Sequence, residues 1–91
     1  MNLHGRNALV TGGASGIGAA VAESMVKAGA AVTIVDVNKE ALDATAKRLG
    51  VRAEILDVAS SEAWADFIAS HDHFDLVHLN AGITTHRNVL D

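Results

Sequence analysis

The sequence has no cysteine, no proline and no tyrosine. Without cysteine, a disulfide framework and a thiolate metal site are both excluded. The absence of tyrosine limits the chemistry that the chain can perform alone, because no phenol is present to act as an acid or a base. Positive charge is also sparse, since the seven Lys and Arg residues are scattered along a chain of net charge −4. A nucleic acid or an anionic membrane is therefore not the expected partner.

Long apolar runs are missing as well. No apolar stretch approaches the ~18 residues that a membrane-spanning helix needs. Residues 1–6 lack the apolar segment of a secretory signal. We therefore expect a cytoplasmic location and no membrane partner. What the sequence does have is an apolar fraction of 49% over 91 residues, which is enough for one small domain with a core.

Short apolar runs alternate with segments of helical periodicity, in the order β-α-β-α-β-α-β. The expected strands are Asn7–Val10, Ala31–Val35, Arg52–Leu56 and Leu76–Leu79, and the expected helices are Gly16–Ala28, one between the cap Asn38 and Gly50, and one capped by Ser60 or Ser61. Continuous apolar strands separated by helices predict a parallel sheet covered on both faces. Right-handed crossovers and the doubly wound pattern give the strand order 3-2-1-4. Residues 1–91 are thus expected to form a single α/β domain, the N-terminal half of a Rossmann-type doubly wound parallel sheet.

The spacing of apolar residues predicts which side of each helix packs inward. The third strand alternates apolar and polar residues, which indicates a half-exposed strand at the edge of the sheet. On the first helix, Glu23 and Lys27 are expected to pair on the outer side. The predicted inward residues are Ile17, Val21, Met25 and Ala28 on the first helix, Ala41, Leu42, Thr45, Ala46 and Leu49 on the second, and Trp64, Phe67, Ile68 and His71 on the third.

A glycine-rich segment, Thr11–Gly18, links the first strand to the first helix. Glycine lets the backbone approach a pyrophosphate closely, and a helix N-terminus offers N–H groups and the positive end of its dipole. Gly12, Gly16 and Gly18 follow a G-x-x-x-G-x-G spacing instead of G-x-G-x-x-G, and no Gly-Lys-Ser/Thr sequence indicates a P-loop. The segment predicts a phosphate-binding turn, with an ordinary glycine-rich loop as the alternative.

Asp36 ends the second strand, 18 residues after Gly18. A carboxylate at this position can accept hydrogen bonds from the adenosine ribose hydroxyls of NAD, and it would repel the 2′-phosphate of NADP. Val37 and Asn38 supply no cation to hold that phosphate. Asp36 therefore predicts NAD as the cofactor. The alternative is that its carboxylate only caps the following helix.

Three motifs in this order resemble the N-terminal part of the short-chain dehydrogenase/reductase family: the turn Thr11–Gly18, the pair Asp57-Val58 and the triplet Asn80-Ala81-Gly82. The resemblance covers the whole chain. It implies an NAD-dependent oxidoreductase that moves hydride between NAD and a small alcohol or carbonyl substrate. It also implies that the turn binds pyrophosphate, that Asp36 selects NAD, that the Asp-Val pair contacts adenine and that the triplet lines the cofactor cleft. The implied cofactor-binding residues are Gly12, Ser15, Gly16, Ile17, Gly18, Asp36, Asp57, Val58, Asn80, Ala81 and Gly82.

The same resemblance supplies no catalytic residue. In this family a Tyr acts as the acid/base, helped by a Lys and a Ser, and all three lie downstream of the Asn-Ala-Gly triplet. This sequence has no Tyr, so we expect the 91-residue chain to be inactive by itself. We also expect the chain to be marginally stable alone, or to be a fragment of a longer protein. Homo-oligomers are expected only for such a full-length chain. One departure is Leu79, where the family often has Asn, so any role of that first Asn is in doubt.

Other interpretations stay open at this point. A non-catalytic nucleotide-binding module could act with a partner chain, and an S-adenosylmethionine-dependent methyltransferase uses a similar sheet with an acidic residue after its second strand. His71 and His73 flank Asp72 in a pattern that can bind metal, although such a loop is more often a solvated turn. His78 is interpreted as a core histidine. The substrate is not indicated by any residue in the sequence.

Overall fold

A computed structural model describes residues 2–14, 16–57, 59–71 and 74–79 of the chain. The strands and the first two helices begin and end within one residue of the positions predicted from the sequence. The third helix ends at Ala69, two residues before His71, which was predicted to lie on it. In chain order the elements are β1 (Asn7–Thr11), α1 (Gly16–Lys27), β2 (Ala31–Asp36), α2 (Lys39–Leu49), β3 (Arg52–Ile55), α3 (Ser61–Ala69) and β4 (Leu76–Leu79).

The strands form one parallel sheet in the order β3-β2-β1-β4. This confirms the predicted α/β fold, the strand order and the edge position of β3. β1 lies between its two neighbours, with Thr11 opposite Val35 on one side and opposite Leu79 on the other. The chain crosses from one side of β1 to the other after β3, so the carboxyl ends of β1 and β4 flank the topological switch point of the sheet.

β1 is buried from both faces of the sheet. Residues 8–11 have no exposed surface, and alternate residues of a strand point to opposite faces. Ala8 and Val10 belong to one buried cluster with residues of α1 and α2, whereas Leu9 belongs to a second cluster with Phe67 of α3. Full burial of an aliphatic side chain as large as that of Leu9 or Val10 contributes about 1.5–3 kcal/mol to stability. The core therefore sits on both sides of the central strand.

Polar side chains fix where the second and third helices begin and end. Asn38 Oδ1 accepts a hydrogen bond from a first-turn N–H of α2 at 3.1 Å, which satisfies one of the N–H groups that a helix start leaves without a partner. Gly50 ends α2 at a φ of +70°, a conformation that favours glycine. Ser60 Oγ accepts from the Ala63 N–H at 3.2 Å, so the cap of α3 is Ser60 and not Ser61.

Two residues that were predicted to pack inward are exposed. Ile17 is 69% exposed, because it lies in the first turn of α1, where none of the described residues covers it. The close approach of α1 to the sheet is made instead by small residues, among them Gly18 and Ala22. Ile68 is 40% exposed, because its neighbour Phe67 takes the inward position and successive helix residues differ by about 100° in direction. The other predicted inward residues are buried or partly buried: Val21, Met25, Ala28, Ala41, Leu42, Thr45, Ala46, Leu49, Trp64, Phe67 and His71.

Ion pairs lie on the outer surfaces of α1 and α2. Glu23 meets Lys27 at 3.7 Å, as predicted, and it also meets Arg48 of α2 at 3.9 Å. Lys39 Nζ donates to Asp43 Oδ2 at 2.8 Å, and this hydrogen bond raises the pKa of Lys39. Exposed pairs of this kind contribute little to stability. The fold therefore depends on its core and not on these charges.

Replacing Leu9 by Ala tests the central position of β1. Leu9 has no exposed surface, so Leu9→Ala should lower the free energy of unfolding by about 2–5 kcal/mol, through lost burial and a new cavity. Urea denaturation followed by circular dichroism measures this change. Ile68→Ala is the matched control, since Ile68 is 40% exposed and its replacement should cost far less. Equal losses in the two variants would contradict the buried central strand.

Candidate functional site

The carboxyl ends of the parallel strands meet at one edge of the sheet. Thr11 ends β1, and Asp36 lies opposite Ile55 where β2 and β3 end. Thr11 Oγ1 donates to the His78 carbonyl at 3.3 Å, which joins the carboxyl ends of β1 and β4. The side chain of His78, interpreted from sequence as a core residue, is only partly buried, because β4 is an edge strand among the strands described. Ligands of open α/β sheets bind at this edge.

The glycine-rich turn lies on the end of β2. Gly12 has a φ of +66°, in the left-handed region that favours glycine. The N–H of Gly13 donates to the Val35 carbonyl at 3.0 Å. A Cβ on Gly13 would stand 2.5 Å from the Cβ of Ile34 and 2.9 Å from its Cγ2, which is closer than packed atoms approach. Sequence reasoning did not single out Gly13; the adjacent Gly12-Gly13 pair was the available signal, but only tertiary packing gives its reason.

Gly16 differs from Gly13 in its surroundings. Among the residues that the structure describes, a Cβ built on Gly16 meets no atom within 4 Å, and the φ of Gly16 lies outside the left-handed region. Gly16 is also exposed and is the first residue of α1. Neither packing nor backbone conformation within the described structure therefore requires glycine here. The first turn of α1 contains no acidic residue, so no carboxylate of its own offsets the positive end of the helix dipole. The start of α1 at Gly16 is therefore open among the described residues, and a helix N-terminus attracts anions.

Asp36 is half-buried, and its carboxylate accepts backbone hydrogen bonds from two loops. Oδ2 accepts from the N–H of Ala14, in the glycine-rich turn, at 3.0 Å. Oδ1 accepts from the N–H groups of Val37 at 2.7 Å and Asn38 at 3.2 Å. The N-cap of α2 is Asn38 and not Asp36, so capping that helix does not account for Asp36. Its carboxylate joins the turn after β1 to the turn after β2.

Asp57 follows β3 beside this group. The N–H of Leu56 donates to the Asp36 carbonyl at 3.1 Å, which keeps the chain after β3 next to the end of β2. The exposed carboxylate of Asp57 accepts from the Ala59 N–H at 2.9 Å, in the turn that leads into α3. Two apolar residues that sequence reasoning missed are also exposed at this edge, Val37 by 64% and Ile55 by 52%. Val37 could have been found from its position directly after Asp36, and Ile55 lies opposite Asp36 in the sheet.

The structure describes only part of the predicted site. Gly12, Gly16, Ile17, Gly18, Asp36 and Asp57 lie at the carboxyl edge or in the first turn of α1, where Ile17 is exposed and Gly18 is buried. Ser15, Val58, Asn80, Ala81 and Gly82 lie outside the described residues. The structure thus brings the glycine-rich turn, Asp36 and Asp57 to one edge.

His71 has protein partners on both ring nitrogens. Nδ1 lies 2.7 Å from the Phe67 carbonyl, and Nε2 lies 2.7 Å from Glu54 Oε2. The ring also lies 4.2 Å from that of Phe67, between centroids. Asp72 and His73 lie outside the described residues. Among the residues that the structure does describe, no group of three or more His, Asp or Glu side chains could hold a metal ion.

A cavity of about 390 Å³ lies at the opposite edge of the sheet. It is lined by residues at or near the amino ends of the strands, including Asn7, Val32, Arg52, His71 and Phe74. The glycine-rich turn and Asp36 take no part in it. Because ligands of this architecture bind beyond the carboxyl ends, the open edge with the turn, and not this cavity, is the candidate site.

Comparison with known proteins agrees with this geometry. The family model described as short chain dehydrogenase matches residues 6–91. The chain belongs to the short-chain dehydrogenase family. It is 39% identical over 90 residues to a D-threitol dehydrogenase of Mycolicibacterium smegmatis, an alignment that covers 89% of this chain and 35% of that protein. The resemblance inferred from the three motifs is therefore confirmed.

Solved structures of the family share the fold. A short chain dehydrogenase/reductase family protein superposes with a TM-score of 0.84 at 36% identity, over 91% of this chain and 36% of that one. The RhlG/NADP active-site complex of Pseudomonas aeruginosa has a TM-score of 0.79 at 34% identity, over 87% of this chain and 35% of that one. The chain spans about a third of the length of these relatives. None of the helices in the described ranges is long and apolar enough to cross a membrane.

Replacing Gly13 by Ala tests the packing of the turn on β2. The new Cβ would clash with the β-branched Ile34 at 2.5 Å, so we expect the free energy of unfolding to fall by about 1–3 kcal/mol. Thermal and urea unfolding measure the loss. Gly16→Ala is the control, because a Cβ there meets no atom of the described part of the chain within 4 Å. A Gly13→Ala variant as stable as the parent would show that the turn does not lie against β2.

Proposed function

We propose that this chain is the NAD(H)-binding portion of an oxidoreductase that transfers hydride between NAD and a small alcohol or carbonyl substrate. The observation that carries the proposal is Gly16 at the start of α1, where an added Cβ would meet no atom of the described residues within 4 Å. Gly16 lies two residues after Ala14, whose N–H donates to the Asp36 carboxylate. Glycine at a position where nothing in the described protein needs it is expected where a ligand comes close to the backbone.

The chain's own residues fit a dinucleotide at this edge. The N-terminus of α1 would hold the pyrophosphate through backbone N–H groups and the helix dipole, over a Gly16 that has no side chain to obstruct it. Asp36 would accept a hydrogen bond from the adenosine ribose. The exposed apolar surfaces of Val37 and Ile55 beside it would suit the adenine ring, with Asp57 and Val58 next to them in sequence. Bound NAD would supply the hydride acceptor.

Preference for NAD over NADP rests on Asp36. A carboxylate at this position repels a 2′-phosphate, and neither Val37 nor Asn38 provides a cation. The relatives do not support a preference for NAD over NADP, since the similar RhlG structure is described as a complex with NADP. The class of reaction is supported by the names of the relatives, such as D-threitol dehydrogenase. The 91 residues contain no Tyr, so the acid/base of the family would have to come from outside them.

Cofactor titration tests the preference. We expect NADH to bind the chain at least about tenfold more tightly than NADPH, equivalent to about 1.4 kcal/mol, because only NADPH brings a phosphate to the Asp36 carboxylate. The increase in nicotinamide fluorescence on binding gives both dissociation constants. Tighter binding of NADPH would refute the role of Asp36. Tighter binding of S-adenosylmethionine than of either dinucleotide would favour the methyltransferase interpretation.

Gly16→Ala separates ligand binding from folding. The added methyl group stands where the pyrophosphate would approach, so the dissociation constant for NADH should rise at least about tenfold, or about 1.4 kcal/mol. The urea midpoint should stay the same or increase, because Ala is a better helix former than Gly. Ser24→Ala, an exposed substitution further along α1, is the matched control: its urea midpoint should likewise stay the same or increase, but its dissociation constant for NADH should not change. Unchanged NADH binding by Gly16→Ala would contradict a phosphate site at this helix start.

A further inference from the structure

The Asp36 carboxylate reaches into the phosphate-binding turn itself. Its Oδ2 accepts from the N–H of Ala14, 22 residues away in the sequence. The preceding amide, that of Gly13, donates to the Val35 carbonyl. Two consecutive N–H groups of the turn are thus held by the end of β2, and α1 begins at Gly16, two residues after Ala14. The position of the helix start depends on how this short segment is held.

We propose that Asp36 is a positioning residue for the glycine-rich turn, in addition to any contact with the cofactor ribose. This rests on the proposed function, since the turn matters as the site of the pyrophosphate. With Ala14 held, the turn keeps its conformation before any ligand arrives. Hydrogen bonds from backbone N–H groups to an ionised carboxylate are shorter and stronger than those between neutral groups. One carboxylate therefore serves both the adenosine end and the phosphate end of the site.

The number of hydrogen bonds that the Asp36 carboxylate can accept limits which further donors it can bind. An ionised carboxylate offers about four acceptor positions on its two oxygens. In the described part of the chain, Val37 and Asn38 donate to Oδ1, and Ala14 donates to Oδ2. Oδ1 is thus saturated, whereas Oδ2 keeps room for one more donor. Asp36 can accept one ribose hydroxyl on Oδ2 without releasing the turn.

An amide cannot replace this carboxylate. Asn has one acceptor oxygen and one NH₂ group that only donates. At position 36 the N–H groups approach both oxygens, so in either orientation the NH₂ group would face a backbone donor. Because Oδ1 accepts two of these bonds and Oδ2 accepts one, Asp36→Asn keeps more of them with its oxygen at the Oδ1 position, and its NH₂ group then releases Ala14. A substitution made at Asp36 to admit NADP would loosen the phosphate site as well.

Amide hydrogen exchange on the ligand-free chain tests the proposal. In Asp36→Asn, exchange at the Ala14 amide should accelerate at least about tenfold, corresponding to about 1.4 kcal/mol of local stability. The amide of Val10, in the buried centre of β1, should accelerate much less. Asp66→Asn is the matched control, because Asp66 is an exposed carboxylate on α3 and its loss should change neither amide. Unchanged exchange at Ala14, or equal acceleration at Ala14 and Val10, would overturn the proposal.

A second measurement uses inorganic pyrophosphate, which has no ribose. If Asp36 acted only through its charge, removing that charge would strengthen pyrophosphate binding, because like charges repel. If Asp36 positions the turn, Asp36→Asn should weaken pyrophosphate binding by about threefold or more, corresponding to about 0.65 kcal/mol. Tighter binding would overturn the proposal. The exchange experiment uses no nucleotide, so its failure is distinct from a failure of NADH to bind.

Discussion

Burial of β1 on both faces is the constraint on which the rest of the structure depends. Residues 8–11 have no exposed surface, so helices must cover the sheet on both sides and β1 must lie between other strands. Parallel pairing with β2 and β4 then brings three carboxyl ends to one edge. The segment after Thr11 has to turn at that edge before α1 can return along the sheet. The location of the site is therefore a consequence of core packing.

Gly13 and Gly16 differ in whether packing within the described protein requires a glycine. Gly13 is needed because the turn lies against Ile34, whereas no atom of the described residues limits a side chain at Gly16. Residues whose identity is set by packing and residues whose identity points to a ligand thus stand three positions apart. Asp36 combines the two roles, since it bonds the turn and also ends the strand where a ribose is expected. Under the proposal, one carboxylate couples cofactor binding to the conformation of the turn.

Membership of the short-chain dehydrogenase family accounts for the fold, but the chain covers about a third of the length of its relatives, so the class of chemistry is part of the proposal. Its described residues form the carboxyl edge at which we propose that the nucleotide binds. The 91 residues contain no Tyr, so under this proposal they would hold the cofactor without supplying the acid/base of the family. The exposed side chains of Ile17, Val37 and Ile55 are consistent with this division, because they surround an edge where a large ligand would cover them.

The sequence by itself determined the elements, their order and the location of the candidate site, because apolar periodicity, caps such as Asn38 and a glycine-rich turn are local signals. It also placed Asp36 at the end of β2. Tertiary structure alone decided the exposure of Ile17 and Ile68, the different needs for glycine at Gly13 and Gly16, and the bond from Asp36 to Ala14. These depend on which atoms of distant segments meet, and a one-dimensional pattern does not specify a contact across 22 residues.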